Sequence, residues 1–173
     1  MEEEYYFDFS DDAQRSVERY EEMIRNQDQY FFDAQAFENI IDNYIDKSDP
    51  VKALQVIEYA LNQHPYAAVF LVKQAQLFFI TDQIDRAFTA LEKAEMLEPS
   101  EAEIYILLGN IYSSLDQNLL ALENFQKALE FAETTDDILL QIAYVYQNML
   151  DYENAIVYIK QSLEQNMENK DGL

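Results

Sequence analysis

Small residues recur along this chain at a fixed spacing of 34: Ala53, Ala87, Ala121 and Ala155 form one column, and Ala60, Ala94, Ala128 and Ser162 a second. A third column is aromatic, with Tyr44, Phe78, Tyr112 and Tyr146, and a fourth holds Phe37, Leu71, Tyr105 and Leu139. Pro65 and Pro99 add a partial fifth. Several columns in phase at such a period mark an array of stacked supersecondary units, each burying its apolar face against the next. With 2 Gly and 3 Pro in 173 residues, the chain lacks the turn formers that a sandwich or barrel of short strands requires. The expected class is therefore all-α.

The columns have a direct physical reading. Phe37, Ile41 and Tyr44 fall on one stripe of a helix at 100° per residue, which must be buried. Ala53 and Ala60 lie on a second helix, where a missing side chain lets a neighbour approach. Gly109 in mid-helix costs about 1 kcal/mol relative to Ala, so it points to tight packing. Asp49-Pro50 offers an N-cap with Pro in the first turn, and Ser100-Glu101-Ala102-Glu103 has capping-box spacing. Ahead of the repeats, Val17, Tyr20, Ile24 and Phe31 predict an amphipathic helix from about Asp11 to about Tyr30 that covers the first unit.

This pattern resembles the tetratricopeptide repeat, a helix-turn-helix unit of 34 residues. With the two prolines in the family's late position, repeats begin at Ala34, Ala68, Ala102 and Asp136. The third matches best, with Tyr105, Leu108, Gly109 and Tyr112 on its first helix and Ala121, Phe125 and Ala128 on its second. The family's early Trp is replaced by Phe37, Leu71, Tyr105 and Leu139, and the late Pro is missing from repeats three and four. The resemblance implies a right-handed α-solenoid. Its expected segments are an acidic, aromatic arm over 1–10, a capping helix in 11–33, and repeats over 34–67, 68–101, 102–135 and 136–169. Continuing the register places Leu173 in the Phe37 column, so 170–173 reads as the start of a fifth repeat and the chain as part of a longer protein.

Composition removes several functions. A formal net charge of −23 opposes binding to nucleic acid or anionic lipid. No Cys is present, which excludes disulfides, thiol catalysis and the common structural zinc sites. His64, the one histidine, precedes Pro65 at a helix end and reads as a loop or packing residue. Carboxylate pairs such as Asp42 and Asp46 read as solvated surface among 34 acids. The acidic N-terminus has no apolar signal region, and the expected location is cytoplasmic. No catalysis, cofactor or metal is expected.

The resemblance implies a ligand groove along the first helices. The residues it assigns there are Glu38 and Asp42 in repeat one, Val69, Val72, Phe79 and Ile80 in repeat two, Ile106 and Asn110 in repeat three, and Leu140 and Tyr144 in repeat four. Such a groove is acidic at one end and apolar in its middle, and suits a basic, apolar protein segment. Lys73 beside it reads as solvated. The clamp by which some relatives hold a terminal carboxylate, with Lys and Asn at positions five and nine of successive repeats, is absent, since position five holds Glu38, Val72, Ile106 and Leu140. The expected function is that of an adaptor. The alternative is a structural module whose groove is filled internally or by a second copy, and a homodimer through an uncapped last repeat is also expected.

Overall fold

The computed structural model describes residues 9–171. Among them the chain forms nine helices: α1 (Phe9–Asn26), α2 (Ala34–Asp46), α3 (Pro50–Gln63), α4 (Ala68–Ile80), α5 (Ile84–Leu97), α6 (Ala102–Ser114), α7 (Asn118–Phe131), α8 (Asp136–Asn148) and α9 (Tyr152–Asp171). No strand occurs among the described residues. Helices α2 to α9 pack in four hairpins, α2 with α3, α4 with α5, α6 with α7 and α8 with α9, and each hairpin stacks on the next. The first helices also touch one another, α4 on α6 and α6 on α8, so they line one continuous surface of the solenoid.

Small side chains set the spacing of this stack. Ala53, Ala60, Ala87, Ala94, Ala121 and Ala128 are completely buried, and Ala155 nearly so. Gly109 is buried against the ring of Phe125, which is itself 1% exposed. The register explains the pairing. Where Gly109 has Ala75 and Ala143 as its equivalents, Phe125 has the smaller Leu91 and Ile159 as its own. The third repeat exchanges a methyl group on one helix for a larger ring on the other.

Every first helix ends in the same left-handed turn. Ser48, Asp82, Asp116 and Leu150 have φ of 56°, 59°, 58° and 61°. The next residue in each case donates its N–H to the carbonyl of the aromatic column, from Asp49 to Tyr44, Gln83 to Phe78, Gln117 to Tyr112 and Asp151 to Tyr146. This six-to-one bond satisfies carbonyls that the helix end leaves unpaired. Glycine is the usual residue here, and none of the four turns has one. Leu150, a branched side chain in a left-handed conformation, bears the largest strain.

The N-terminal helix packs on α2 through Val17, Tyr20 and Met23, which join Phe37, Ile40, Ile41 and Tyr44 in one core. Its details differ from the amphipathic reading. The helix begins at Phe9 and ends at Asn26, because Gln27 turns left-handed with φ 58° and the Asp28 N–H closes on the Met23 carbonyl. Phe31 is therefore off the helix and 67% exposed, Ile24 is 44% exposed, and Met23 and Phe32 are the buried residues instead. The linker after Gln27 is held by the end of α3. Gln63 accepts the Phe32 N–H at 3.0 Å and donates to the Tyr30 carbonyl at 2.8 Å. His64 Nε2 donates to the Phe32 carbonyl at 2.7 Å, and its ring packs among Phe31, Phe37 and Phe70. The one histidine is thus a packing residue and a clasp.

Helix starts follow the cap chemistry with one correction. Asp49 accepts from the Lys52 N–H at 3.1 Å with Pro50 behind it, and Asp33 caps α2 by accepting from Ala36 at 2.8 Å. Before α6, however, the capping residue is Glu101, which accepts from the Glu103 N–H at 3.3 Å. Ser100 lies in the preceding turn, where the Glu101 N–H bonds back to the Glu98 carbonyl. The helix accordingly begins one residue later than a Ser100 capping box would set it.

Candidate functional site on the first helices

Two clefts open along the surface lined by the first helices. The one toward the N-terminus has a volume of about 270 Å³ and is lined by Glu38 of α2, by Val69, Val72, Lys73 and Gln76 of α4, and by Glu98, Glu101 and Glu103 at the entry to α6. The second, of about 560 Å³, lies between Phe79 of α4, Asn110, Ser113 and Ser114 of α6, Asp116, and Gln141, Tyr144 and Asn148 of α8. Ligand pockets span about 300 to 1,000 Å³, a range that includes the second cleft and begins just above the first.

The first cleft is acidic with an apolar floor. Val72 is 7% exposed and belongs mostly to the core, while Val69 is half-buried beside it. Glu103 remains exposed to solvent, yet the cleft walls strip enough water from its carboxyl to raise its pKa, Glu101 adding to the rise and Lys73 opposing it. Lys73 is not the solvated cation expected from its position. Its Nζ contacts Asp42 at 2.6 Å with the side chain only 19% exposed, so it ties α4 to α2. The physical reason is the dense acidity around it, which favours pairing of the ammonium group with a neighbouring carboxylate. Asp42 is consequently engaged within the chain.

The second cleft is mainly polar. Asn110, Ser113, Ser114, Gln141 and Asn148 supply donors and acceptors, and Phe79 and Tyr144 supply two aromatic faces, Tyr144 being 56% exposed. The apolar stretch expected through the middle of the groove is narrower than the sequence implied. Ile106 is half-buried against the core between the clefts, whereas Ile80 and Leu140 are 63% and 44% exposed and line neither of them. Glu98 and Glu101 were missed because they stand in the α5–α6 loop, outside any helical stripe, and only the stacking of α6 on α4 carries that loop to Glu38. The arm expected over 1–10 lies outside the described residues as far as Asp8.

Among the described residues no group of three His, Cys, Asp or Glu side chains could hold a metal ion, and no helix is long and apolar enough to cross a membrane. A helical solenoid with a cleft-bearing inner surface defines a repeat scaffold of the protein-binding type. The tetratricopeptide repeat family model matches residues 102–135 and 136–168, so α6–α7 and α8–α9 are tetratricopeptide repeats, and the two hairpins before them stack in the same way.

Solved structures share the whole architecture. A crystal structure of MamA superimposes with a TM-score of 0.75 at 19% identity, covering 96% of this chain and 99% of that one. A thermophilic TPR protein of Thermus thermophilus gives 0.74 at 16% identity, covering 94% and 93%. By sequence, the chain is 25% identical over 127 residues to peroxisome biogenesis protein 5 of Arabidopsis thaliana, 73% of this chain and 17% of that protein. The chain spans less than a fifth of the length of the curated relatives it matches.

Proposed function

We propose that the chain is an adaptor that holds an extended or helical segment of a partner protein along its first helices. The observation that carries this reading is the pairing of two unlike clefts on one surface, an acidic one at Glu38, Glu101 and Glu103 and a polar, aromatic one at Phe79, Asn110 and Tyr144. A Lys or Arg of the partner relieves the carboxylate crowding in the first cleft, and an apolar or aromatic residue further along lies on Phe79 and Tyr144. Val69 and Val72 form the floor of the first cleft, and Ile106 of α6 is half-buried against the core. Glu38 remains the selecting acid of repeat one, since Asp42 is held by Lys73. Catalysis, a cofactor, nucleic acid and membrane form no part of this reading, and a cytoplasmic location belongs to it.

Selection from a random displayed-peptide library against the full chain tests the proposal. Enriched peptides should carry a basic residue and, separated from it, an aromatic or aliphatic one. Glu38→Lys with Glu103→Lys should abolish the basic preference, and Phe79→Ala with Tyr144→Ala the apolar one, with helicity unchanged. Peptides that bind both double variants as they bind the native chain would refute the assignment.

A further inference from the structure

The turns that close the third and fourth hairpins carry an apolar surface that the repeat itself does not require. Leu115, Leu119 and Leu120 are exposed at the α6–α7 turn, Leu119 by 74%, and Met149 and Leu150 are exposed at the α8–α9 turn, Leu150 by 70%. The same register positions in the first two repeats are polar, with Lys47, Ser48 and Lys52, then Thr81, Asp82, Asp85 and Arg86; Val51 is the exception. The two apolar turns are neighbours, since Asp116 of one and Asn148 beside the other border the second cleft together. A following repeat leaves this edge open. Asp82 and Asp116 are exposed although a whole repeat comes after each, and Leu119 and Leu120 are exposed with α8 and α9 in place.

Leu150 adds a second, independent sign. It holds a left-handed φ of 61° and, being mostly exposed, gains little from packing in return. Backbone strain that the fold does not offset points to a contact made outside the fold. Charge says what that contact is. Asp116, Glu123, Asp151 and Glu153 flank the leucines in the chain, and residues 111–126 and 145–159 contain no Lys or Arg. None of the four acids is in an ion pair among the described residues. Arg86, the cation of the preceding turn, is held over the Phe78 ring at 4.0 Å and donates to Gln83. Two such edges would repel each other, in chains of net charge −23, as would an anionic lipid surface. A positively charged segment is attracted instead.

We infer that this edge docks a basic, amphipathic segment of a partner protein, with its aliphatic side chains on Leu119 and Leu150 and its Lys or Arg toward the four acids. The edge adjoins the second cleft without using the residues that line its aromatic end, so the inference stands apart from the groove reading. With both surfaces in use, one chain holds two segments at once.

Fluorescence anisotropy of a labelled Leu and Lys peptide about 14 residues long, with Leu at helical spacing, titrated with the full chain provides the test. Leu119→Asp with Leu150→Asp installs the residues that repeat two carries as Asp85 and Asp82, so the fold accommodates them. The double variant is more acidic, so attraction by charge alone would tighten binding. Docking on the leucines should instead weaken it roughly tenfold. Phe79→Ala with Tyr144→Ala should leave the affinity unchanged, and a scrambled peptide of the same composition should bind roughly tenfold more weakly. Affinity that holds or rises in the double Asp variant, affinity lost instead in the Phe79 and Tyr144 variant, or no binding up to about 1 mM would overturn the inference. So would self-association of the chain, or its adsorption to phosphatidylcholine vesicles, that the double Asp variant abolishes. Each of these outcomes leaves the library selection against the clefts to stand or fall by itself.

Discussion

Replacing Gly109 by Ala places a methyl group 2.6, 2.7 and 2.8 Å from three atoms of the Phe125 ring. Ordinary contact begins at 3.4 Å, so the ring must retreat by about 0.6 to 0.8 Å. It has little room to do so, since Phe125 is 1% exposed and wedged between α6 and α7. Forcing an extra methyl group into such a site costs about 1 to 3 kcal/mol. Alanine returns about 1 kcal/mol through its better helix propensity. With three ring atoms displaced at once, the strain lies toward the upper end, and a net loss of about 1 to 2 kcal/mol is expected. The cycle with Phe125→Leu isolates the cause. Once the ring is replaced by the side chain that repeat two carries at this position, Gly109→Ala should become neutral or stabilising. The coupling should be about 2 kcal/mol, within the range for residues in contact. Urea denaturation followed by circular dichroism measures it, as shifts in midpoint at constant slope. If Gly109→Ala stabilises the native chain, or acts identically in both backgrounds, the close approach of Phe125 is not what selects glycine here.

Four further outcomes are expected. Leu150→Gly should stabilise by about 1 kcal/mol, because the left-handed strain is relieved at a side chain that is 70% exposed, and a lower urea midpoint would contradict it. Gln63→Ala with His64→Ala removes three hydrogen bonds to the linker, at about 1 kcal/mol each, and should accelerate hydrogen exchange in α1 before the repeats are affected. Ala87→Leu or Ala121→Leu should cost about 1 to 3 kcal/mol by overpacking at fully buried positions, and an unchanged melting temperature for both would show that adjacent helices do not meet there. Glu103→Gln should raise the melting temperature near pH 7. Its carboxyl is held above the ordinary value, so the charged form penalises the folded state above the folded pKa; the gain should fade as acid protonates Glu103 in both states, and a gain that persists at about pH 3 would refute it.

The repeat length and the buried columns were legible in the sequence because a stacked array is held by contacts between neighbours. Each unit needs the same small residues at Ala53, Ala87 and Ala121 and the same bulky ones at Phe37, Leu71 and Tyr105, so packing is written out once per repeat. The Asp49-Pro50 start could be read for a similar reason, since a cap acts within three residues of itself. Chain turns were less visible. Ser48, Asp82, Asp116 and Leu150 share a left-handed conformation although only the two Asp are residues that favour it, so hydrogen bonds to the preceding turn of helix hold the others there.

What only the tertiary structure decided are the pairings between residues far apart in the chain and outside the repeat. Nothing periodic relates Lys73 to Asp42, His64 to Phe32 or the Glu101 loop to Glu38, and each depends on how one element settles on another. The same holds for Phe31 and Phe32. Both are adjacent aromatics in the sequence, and the turn at Gln27 together with the hold of Gln63 and His64 on the linker settles that Phe32 is buried at 1% exposure while Phe31 is left at 67%. Within the candidate site, helical geometry named the stripe, but burial sorted it. Val72 sank into the core and Ile80, at the end of the same helix, stayed in water, because what packs against each point of α4 is set by the neighbouring elements rather than by α4 alone.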